Sequence, residues 1–363
     1  MEICSQQHLI EKQRRKGRGA VSNASGRFER IARIDSDDGW DIPEDRSNFR
    51  TYVREEMARS IISYNRSPDL PFDRSINPYR GCEHGCIYCF ARPSHAYLGL
   101  SPGLDFETQL IAKPNAPDVL ARELRRKSYK VAPIAIGTNT DPYQPVEKER
   151  EVTRACLKVL QAFRHPVAIV TKGTLIERDI DILAPMAAEG LVRVGISVTS
   201  LDPKLARAME PRVPPPVRKL QTIERLSQAG IPVRIMASPV VPGLSDPELE
   251  QILEAGKNAG AQTASWIMLR LPREVSPMFQ EWLDVHYPDR KTRVMARLRE
   301  MHDGQDYDAQ WHHRMRGKGV YAELIAQRFK RACRALSLAE HAPRLRTDLF
   351  KPPSMKGDQM SLF

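Results

Sequence analysis

Residues 81–90 read G-C-E-H-G-C-I-Y-C-F, and this stretch constrains the chain more than any other. Cys82, Cys86 and Cys89 are spaced C-x3-C-x2-C, with Tyr88 directly before the last of them. A loop this short can direct three thiolates at one small inorganic centre, and Gly81 and Gly85 permit the sharp turns it needs. A [4Fe–4S] cluster ordinarily takes four cysteine thiolates. Three leave one iron open to a small molecule, which is what binding and reducing S-adenosylmethionine (SAM) at a cluster requires. A four-coordinate zinc site is the competing reading, with His84 or His95 as fourth ligand. No second C-x2-C pair follows, however, and the two histidines then read as loop residues beside the cluster.

The surrounding pattern is that of alternating strands and helices. Short apolar, β-branched segments at 76–79, 133–137, 167–171, 192–198, 233–238 and 264–269 read as strands. Helical periodicity fills the intervals at 118–127, 147–163, 176–187, 218–228 and 246–259. Such alternation argues for parallel βαβ units with right-handed crossovers. The expected fold is α/β, a partial (β/α)6 TIM-like barrel. The cysteine loop then leaves the C-terminal end of the first strand, where barrel loops carry catalytic groups.

Outside the barrel the composition changes. The expected division is an arm and peripheral segment over 1–70, a core over 71–275, a helical extension over 276–350 and a tail over 351–363. Residues 13–27 are rich in Arg, Gly and Ser and predict a flexible or surface-wrapped basic arm. A weak helical pattern runs over 51–64, and amphipathic helices are expected at 291–301 and 320–336. The second gathers Tyr321, Leu324, Ile325, Phe329, Ala332, Cys333 and Leu336 on one face, suited to capping the barrel.

The net charge is +11 over 363 residues. Residues 1–34 carry eight Lys/Arg against three Glu, and residues 289–363 carry sixteen against nine acids. A positive surface of this kind favours a polyanionic partner such as nucleic acid. No apolar run approaches the ~18 residues that span a bilayer, and the N-terminus lacks the apolar core of a secretory signal. A cytoplasmic, reducing location is expected, because three of the six cysteines are clustered rather than laid out as a disulfide framework.

Further segments sharpen the reading. Thr138-Asn139-Thr140-Asp141-Pro142-Tyr143-Gln144-Pro145 follows the second strand and Val170-Thr171-Lys172-Gly173 closes the third. Gly195-Ile196-Ser197-Val198 lies on the fourth, and Ser238-Pro239-Val240-Val241-Pro242-Gly243 follows the fifth. With the cysteine loop, these resemble radical SAM enzymes, and among them the spore photoproduct lyase-like (DNA repair photolyase-like) group, over residues 70–275. The resemblance implies that Cys82, Cys86 and Cys89 bind three irons of a [4Fe–4S] cluster and that the open iron takes the amino and carboxylate groups of SAM. It implies Tyr88 near the adenine, and Thr138, Asn139, Thr140 and Asp141 at the SAM amino group and ribose. Lys172 and Ser197 would meet the carboxylate, and Val240 would help wall the adenine. The implied chemistry is reductive cleavage of SAM to a 5′-deoxyadenosyl radical that removes a hydrogen atom from a substrate. A one-electron donor such as flavodoxin or ferredoxin is implied too. The alternative is a nucleic-acid-binding protein whose cluster is structural or sensory.

The likeness breaks at two positions. The lyase returns a hydrogen atom from a cysteine at the end of the second strand, where this chain reads Gly137-Thr138-Asn139-Thr140. The lyase has a tyrosine after its last cluster cysteine, where this chain has Phe90. Cys156 shares an apolar helical stripe with Val152, Val159, Leu160 and Phe163 and reads as core.

Overall fold

The computed structural model describes residues 17–29 and 50–354. In chain order its strands are β1 (Tyr52–Glu55), β2 (Ile62–Tyr64), β3 (Arg74–Ile76), β4 (Tyr79–Arg80) and β5 (Gln109–Ala112). They continue with β6 (Ile134–Ile136), β7 (Val167–Thr171), β8 (Val192–Ser197), β9 (Val233–Val240) and β10 (Thr263–Met268). The main sheet runs β10-β9-β8-β7-β6-β3-β2. From β3 through β10 every neighbouring pair is parallel, and β2 adds an antiparallel edge. Five of these six coincide with strands read from the sequence, while the first expected strand, 76–79, straddles the break between β3 and β4. Their β-branched residues are buried because helices cover one side and the barrel interior the other. Helices Ala116–Leu124, Val152–Ala162, Ile180–Ala188, Pro216–Gln228 and Leu249–Asn258 fall between successive strands. Strands β10 and β2 form the two edges of the sheet, so the architecture is a partial TIM barrel. No helix among the described residues is long and apolar enough to cross a membrane.

Three departures from the expected elements have physical causes. Segment 51–64 is not helical: β1 pairs with β5 and β2 with β3, partners that no local pattern reveals. The expected helix 147–163 breaks at Glu151, whose φ is 51°. The break lets the buried Glu147 carboxylate accept hydrogen bonds from the Thr153 N–H (2.9 Å) and Arg154 N–H (3.1 Å). That satisfies two of the free donors at the start of helix Val152–Ala162. In helix Gly319–Ala335, Ile325, Phe329 and Cys333 are buried, but Leu324 is exposed and does not belong to the inward face. This helix packs on Leu249–Asn258, with Arg328 paired to Glu250 at 2.6 Å. It caps the barrel wall.

The basic arm is not loose where it is described. Ala20 and Val21 are buried. The Gly19 and Ala20 N–H groups donate to the Glu107 carboxylate at 3.0 and 2.9 Å. Glycine is required at position 19, because a Cβ there would lie 1.8 Å from the Gly85 carbonyl oxygen. The arm thus lies directly against the cysteine loop. Residues 1–16 and 30–49 lie outside the described residues. At the other end, the Lys351 N–H donates to the Phe163 carbonyl (3.0 Å) and Arg125 to that of Pro353 (2.8 Å), so the first residues of the expected tail are fastened. Positions 355–363 lie outside the described residues.

That C-terminal anchorage meets a buried histidine. His165 Nδ1 donates to the Pro166 carbonyl (2.9 Å), and Nε2 accepts from the Tyr129 hydroxyl (2.7 Å). The Phe350 ring stands edge-on to the imidazole at 5.4 Å. Burial, opposed by the Pro166 carbonyl and reinforced by Arg74, pushes His165 down from 6.5 to about 4. Above pH 6.5 both folded and unfolded chains hold the ring neutral. As pH falls the unfolded chain takes up the proton first, so stability drops until the folded ring also protonates. The expected loss is roughly 3 kcal/mol between pH 6.5 and 4. Urea unfolding at steps across this range should show it, and a His165→Gln chain should lack that slope. Equal slopes in both chains would refute the assignment.

Candidate metal and cofactor site

Strand β3 ends at Ile76, and Pro78 interrupts pairing before β4. Gly81 then turns with φ 76°, and a Cβ there would strike Leu110, His95 and the Phe106 carbonyl. The loop that follows is tightly bonded. The Cys82 N–H donates to Phe106 O (2.9 Å), Cys89 N–H to Cys86 O (3.2 Å) and Ile87 N–H to Met209 O (3.1 Å). Cys82 and Cys86 are buried and Cys89 half-buried, and no disulfide joins any of them. Burial raises all three thiols above their ordinary range. They sit where a loop has gathered thiols without bridging them.

Residues that no motif announced brace this loop. Arg92 is fully buried. Its guanidinium donates to the carbonyls of Cys86 (2.9 Å), Gly85 (3.1 Å), Pro102 (3.0 Å) and Gly103 (3.0 Å). It also pairs with Glu107 at 2.5 Å. Gln144 spans the loop from the other side, donating to Gly81 O (3.2 Å) and accepting from Glu83 N–H (2.9 Å). It was visible only as part of the T-N-T-D-P-Y-Q-P segment.

Beside Cys86 lies a buried charged cluster. Glu210 accepts hydrogen bonds from the Tyr88 hydroxyl, Thr199 Oγ1 (2.5 Å) and Lys219 Nζ (2.9 Å), and Lys172 Nζ stands 3.3 Å away. Burial opposes its ionisation, but Lys172 and Lys219 overcome that and hold the carboxyl below the usual carboxylate range. Lys172 Nζ also reaches the Ser238 carbonyl (3.2 Å) and lies 5.6 Å from the centre of the Tyr88 ring. Ser238 Oγ is buried there without a partner. Of the expected contacts, Tyr88 and Lys172 therefore meet in one place. Glu210, Lys219 and Thr199, which help complete that place, carry no motif, and Ser238 stood out only as the start of the segment after the fifth strand. A lysine in a helix and a glutamate before a proline carry no signal of their meeting.

The remaining expected residues are distributed around the mouth. Asp141 accepts from Thr171 Oγ1 (2.6 Å), Tyr143 N–H (2.9 Å) and Lys172 N–H (2.7 Å). His84 Nδ1 approaches it at 3.3 Å without completing a hydrogen bond. Its carboxylate ties β6 and β7 together. The Thr138 hydroxyl and Asn139 N–H both turn to Asn77 Oδ1 (3.4 and 3.1 Å), and the Thr140 hydroxyl to Tyr79 O (3.4 Å). Ser197 and Val240 are buried at the ends of β8 and β9. His95 Nε2–H donates to the Gln109 carbonyl oxygen at 2.9 Å, and burial lowers the basicity of the ring. Among the described residues, no three His, Cys, Asp or Glu side chains converge on a point that one metal ion could fill. A four-iron cluster binds its thiolates to separate irons, so three cysteines that serve one need not meet at a single point.

Comparison with known proteins agrees with this geometry. The model of the Radical SAM superfamily matches residues 76–256, a span that opens at the end of β3 and contains the cysteine loop. An uncharacterised protein of Mycobacterium tuberculosis is 38% identical over 253 residues, covering 68% of this chain and 73% of the relative. This chain belongs to the radical SAM superfamily. A more distant uncharacterised protein of Methanocaldococcus jannaschii is 26% identical over 244 residues, 67% of this chain and 86% of the relative. Spore photoproduct lyase shares the radical SAM fold of the present protein, with a TM-score of 0.55 at 14% identity over 78% of this chain and 79% of that one. A variant of that lyase has been solved with AdoMet and dinucleoside spore photoproduct bound. The superfamily works with a [4Fe–4S] cluster and SAM, and these are the cofactors of this radical SAM protein. The residues present fit them: three unbridged thiols on one braced loop, and a partnerless buried hydroxyl at Ser238 beside a lysine.

Proposed function

We propose that the chain is a radical SAM enzyme in which Cys82, Cys86 and Cys89 hold the [4Fe–4S] cluster and nucleic acid is the substrate class. When bound and reduced, cluster and SAM together supply a 5′-deoxyadenosyl radical for hydrogen abstraction. The carrying observation is the braced loop of three free thiols at the end of β3, flanked by Lys172. Each thiol gives up its proton at Sγ on ligation, which offsets the burial that otherwise disfavours thiolate. Lys172, held in place by Glu210, orients the SAM carboxylate as a point charge, with Ser197 and Ser238 as neighbouring donors. Tyr88 and Val240 flank the adenine. Thr138, Asn139 and Thr140 face the amino group and ribose, and Asp141 holds their loop to β7. The apolar core beneath keeps water from the radical. A one-electron donor such as flavodoxin or ferredoxin serves the cluster.

The net charge of +11 supports the nucleic-acid substrate, as does the fold shared with a lyase solved on a dinucleoside photoproduct. Because this chain has no cysteine at 137–140 and has Phe90 rather than a tyrosine after Cys89, the substrate lesion or base differs from that lyase's. The test is anaerobic reconstitution with iron and sulfide, reduction by dithionite, addition of SAM and assay of 5′-deoxyadenosine. Wild type is expected to make product and Cys86→Ala none, since two thiols do not hold the cluster. A cluster that forms yet leaves SAM intact, even with oligonucleotide added, would replace this reading with a sensory one. Oligonucleotide binding should weaken steeply with salt, and a flat dependence would remove nucleic acid.

A further inference from the structure

The two sides of the cysteine loop are served by different cations. On the Cys86 side, Lys172 lies by the Tyr88 ring and is already partnered by Glu210. On the Cys89 side, Arg270 follows the last strand, β10, at the opposite edge of the sheet. Its guanidinium carbon sits 4.3 Å from the centre of the Phe90 ring, and Phe90 directly follows Cys89. Arg270 donates no hydrogen bond to any described residue and makes no ion pair with one. The nearby acid, Asp69, is committed elsewhere: Arg314 Nε meets it at 2.6 Å and the His312 N–H at 2.7 Å.

This is an unusual state for a half-buried guanidinium. Five donors in a rigid planar fork stand in partial burial with an aromatic face behind them and no acceptor in front. Its donors keep access to water, so an incoming anion would replace solvent at a guanidinium already seated on the Phe90 ring. The stack does fix the plane of the fork, which lowers the ordering cost of a bidentate contact. It also gives Phe90 a role that calls on its ring face and not on a hydroxyl.

We propose that Arg270, backed by Phe90, is the anchor for an oxyanion of the substrate, a carboxylate or phosphate, at the mouth of the barrel. The assignment rests on the mouth being the reaction site, and it divides the labour between two cations. Lys172 and its glutamate serve the SAM side, and Arg270 orients the substrate from the open edge of the sheet. A substrate without a negative group near its reacting carbon would not be held there.

The experiment uses the full chain carrying its cluster and reads binding rather than turnover, so that it separates from the cleavage assay above. Equilibrium dialysis of pyrophosphate and of SAM is run on wild type, Arg270→Gln, Arg270→Lys and Phe90→Leu, with iron per chain measured for each. Wild type is expected to bind pyrophosphate, Arg270→Gln to lose roughly tenfold or more and Arg270→Lys to recover part of it. Phe90→Leu should weaken pyrophosphate binding with iron content unchanged, because it removes only the backing. SAM affinity should be unmoved. If SAM binding falls instead and pyrophosphate binding does not, the anion is the SAM carboxylate and the substrate assignment is overturned. If neither moves in the glutamine and leucine chains, Arg270 holds no anion. Should Arg270→Gln lose its iron, the lysine and Phe90→Leu chains still decide.

Discussion

Replacing Glu210 by leucine is expected to cost the folded protein about 3–5 kcal/mol, the usual consequence of removing one partner from a buried ion pair. Two ammonium groups depend on this one carboxylate, and Lys219 is only 1% exposed. The Tyr88 and Thr199 hydroxyls lose their acceptor at the same time. Because Tyr88 stands between Cys86 and Cys89, the damage should reach the thiols, and iron bound per chain after anaerobic reconstitution should fall with stability. Denaturant unfolding measures the first effect and iron analysis the second. Adding Lys219→Met should restore part of the loss, since it removes one of the stranded charges, and a double-mutant cycle isolates that coupling. A Glu210→Leu chain that unfolds within 1 kcal/mol of wild type, with full iron, would mean that the lysines find other partners.

The second large effect is expected at Glu107. Its pair with Arg92 is fully buried on both sides, and the same carboxylate receives the Gly19 and Ala20 N–H groups. Glu107→Ala strands a guanidinium and two main-chain donors together, for a loss again of about 3–5 kcal/mol. Arg92 keeps its four carbonyl acceptors, so the loop should sag rather than unravel. The distinguishing readout is limited proteolysis: cleavage within residues 17–29 should become fast in the variant and stay slow in wild type. A variant of lowered stability whose arm stays protected would show that Glu107 supports the loop alone and not the arm.

The barrel was legible because buried parallel strands are rich in apolar, β-branched residues, which leaves runs such as 167–171 conspicuous. The cysteine loop was legible because metal chemistry fixes both residue type and spacing. What stayed hidden depends on long-range meetings. β1 is a strand because β5 lies beside it more than fifty residues later. Glu210 and Lys219 look like ordinary charged residues of a helical region until the fold sets them against Tyr88. Arg18-Gly19-Ala20 has the composition of loose chain, and its bonds to Glu107, nearly ninety residues on, make it structure. Leu324 fits the apolar stripe of its helix by spacing, yet it is left exposed. Asp141 reads from the sequence as a ribose acceptor, and the fold adds a second task that no local pattern shows, accepting from Thr171, Tyr143 and Lys172.

The fastening of Gly19 also sets an order of events during synthesis. Gly19 leaves the ribosome well before the three cysteines, but Glu107, the carboxylate that secures it, leaves only after them. Between those moments the nascent cysteine loop has neither its outer strap nor the Arg92 pair. The loop is therefore braced only once residue 107 has emerged and the strap has closed.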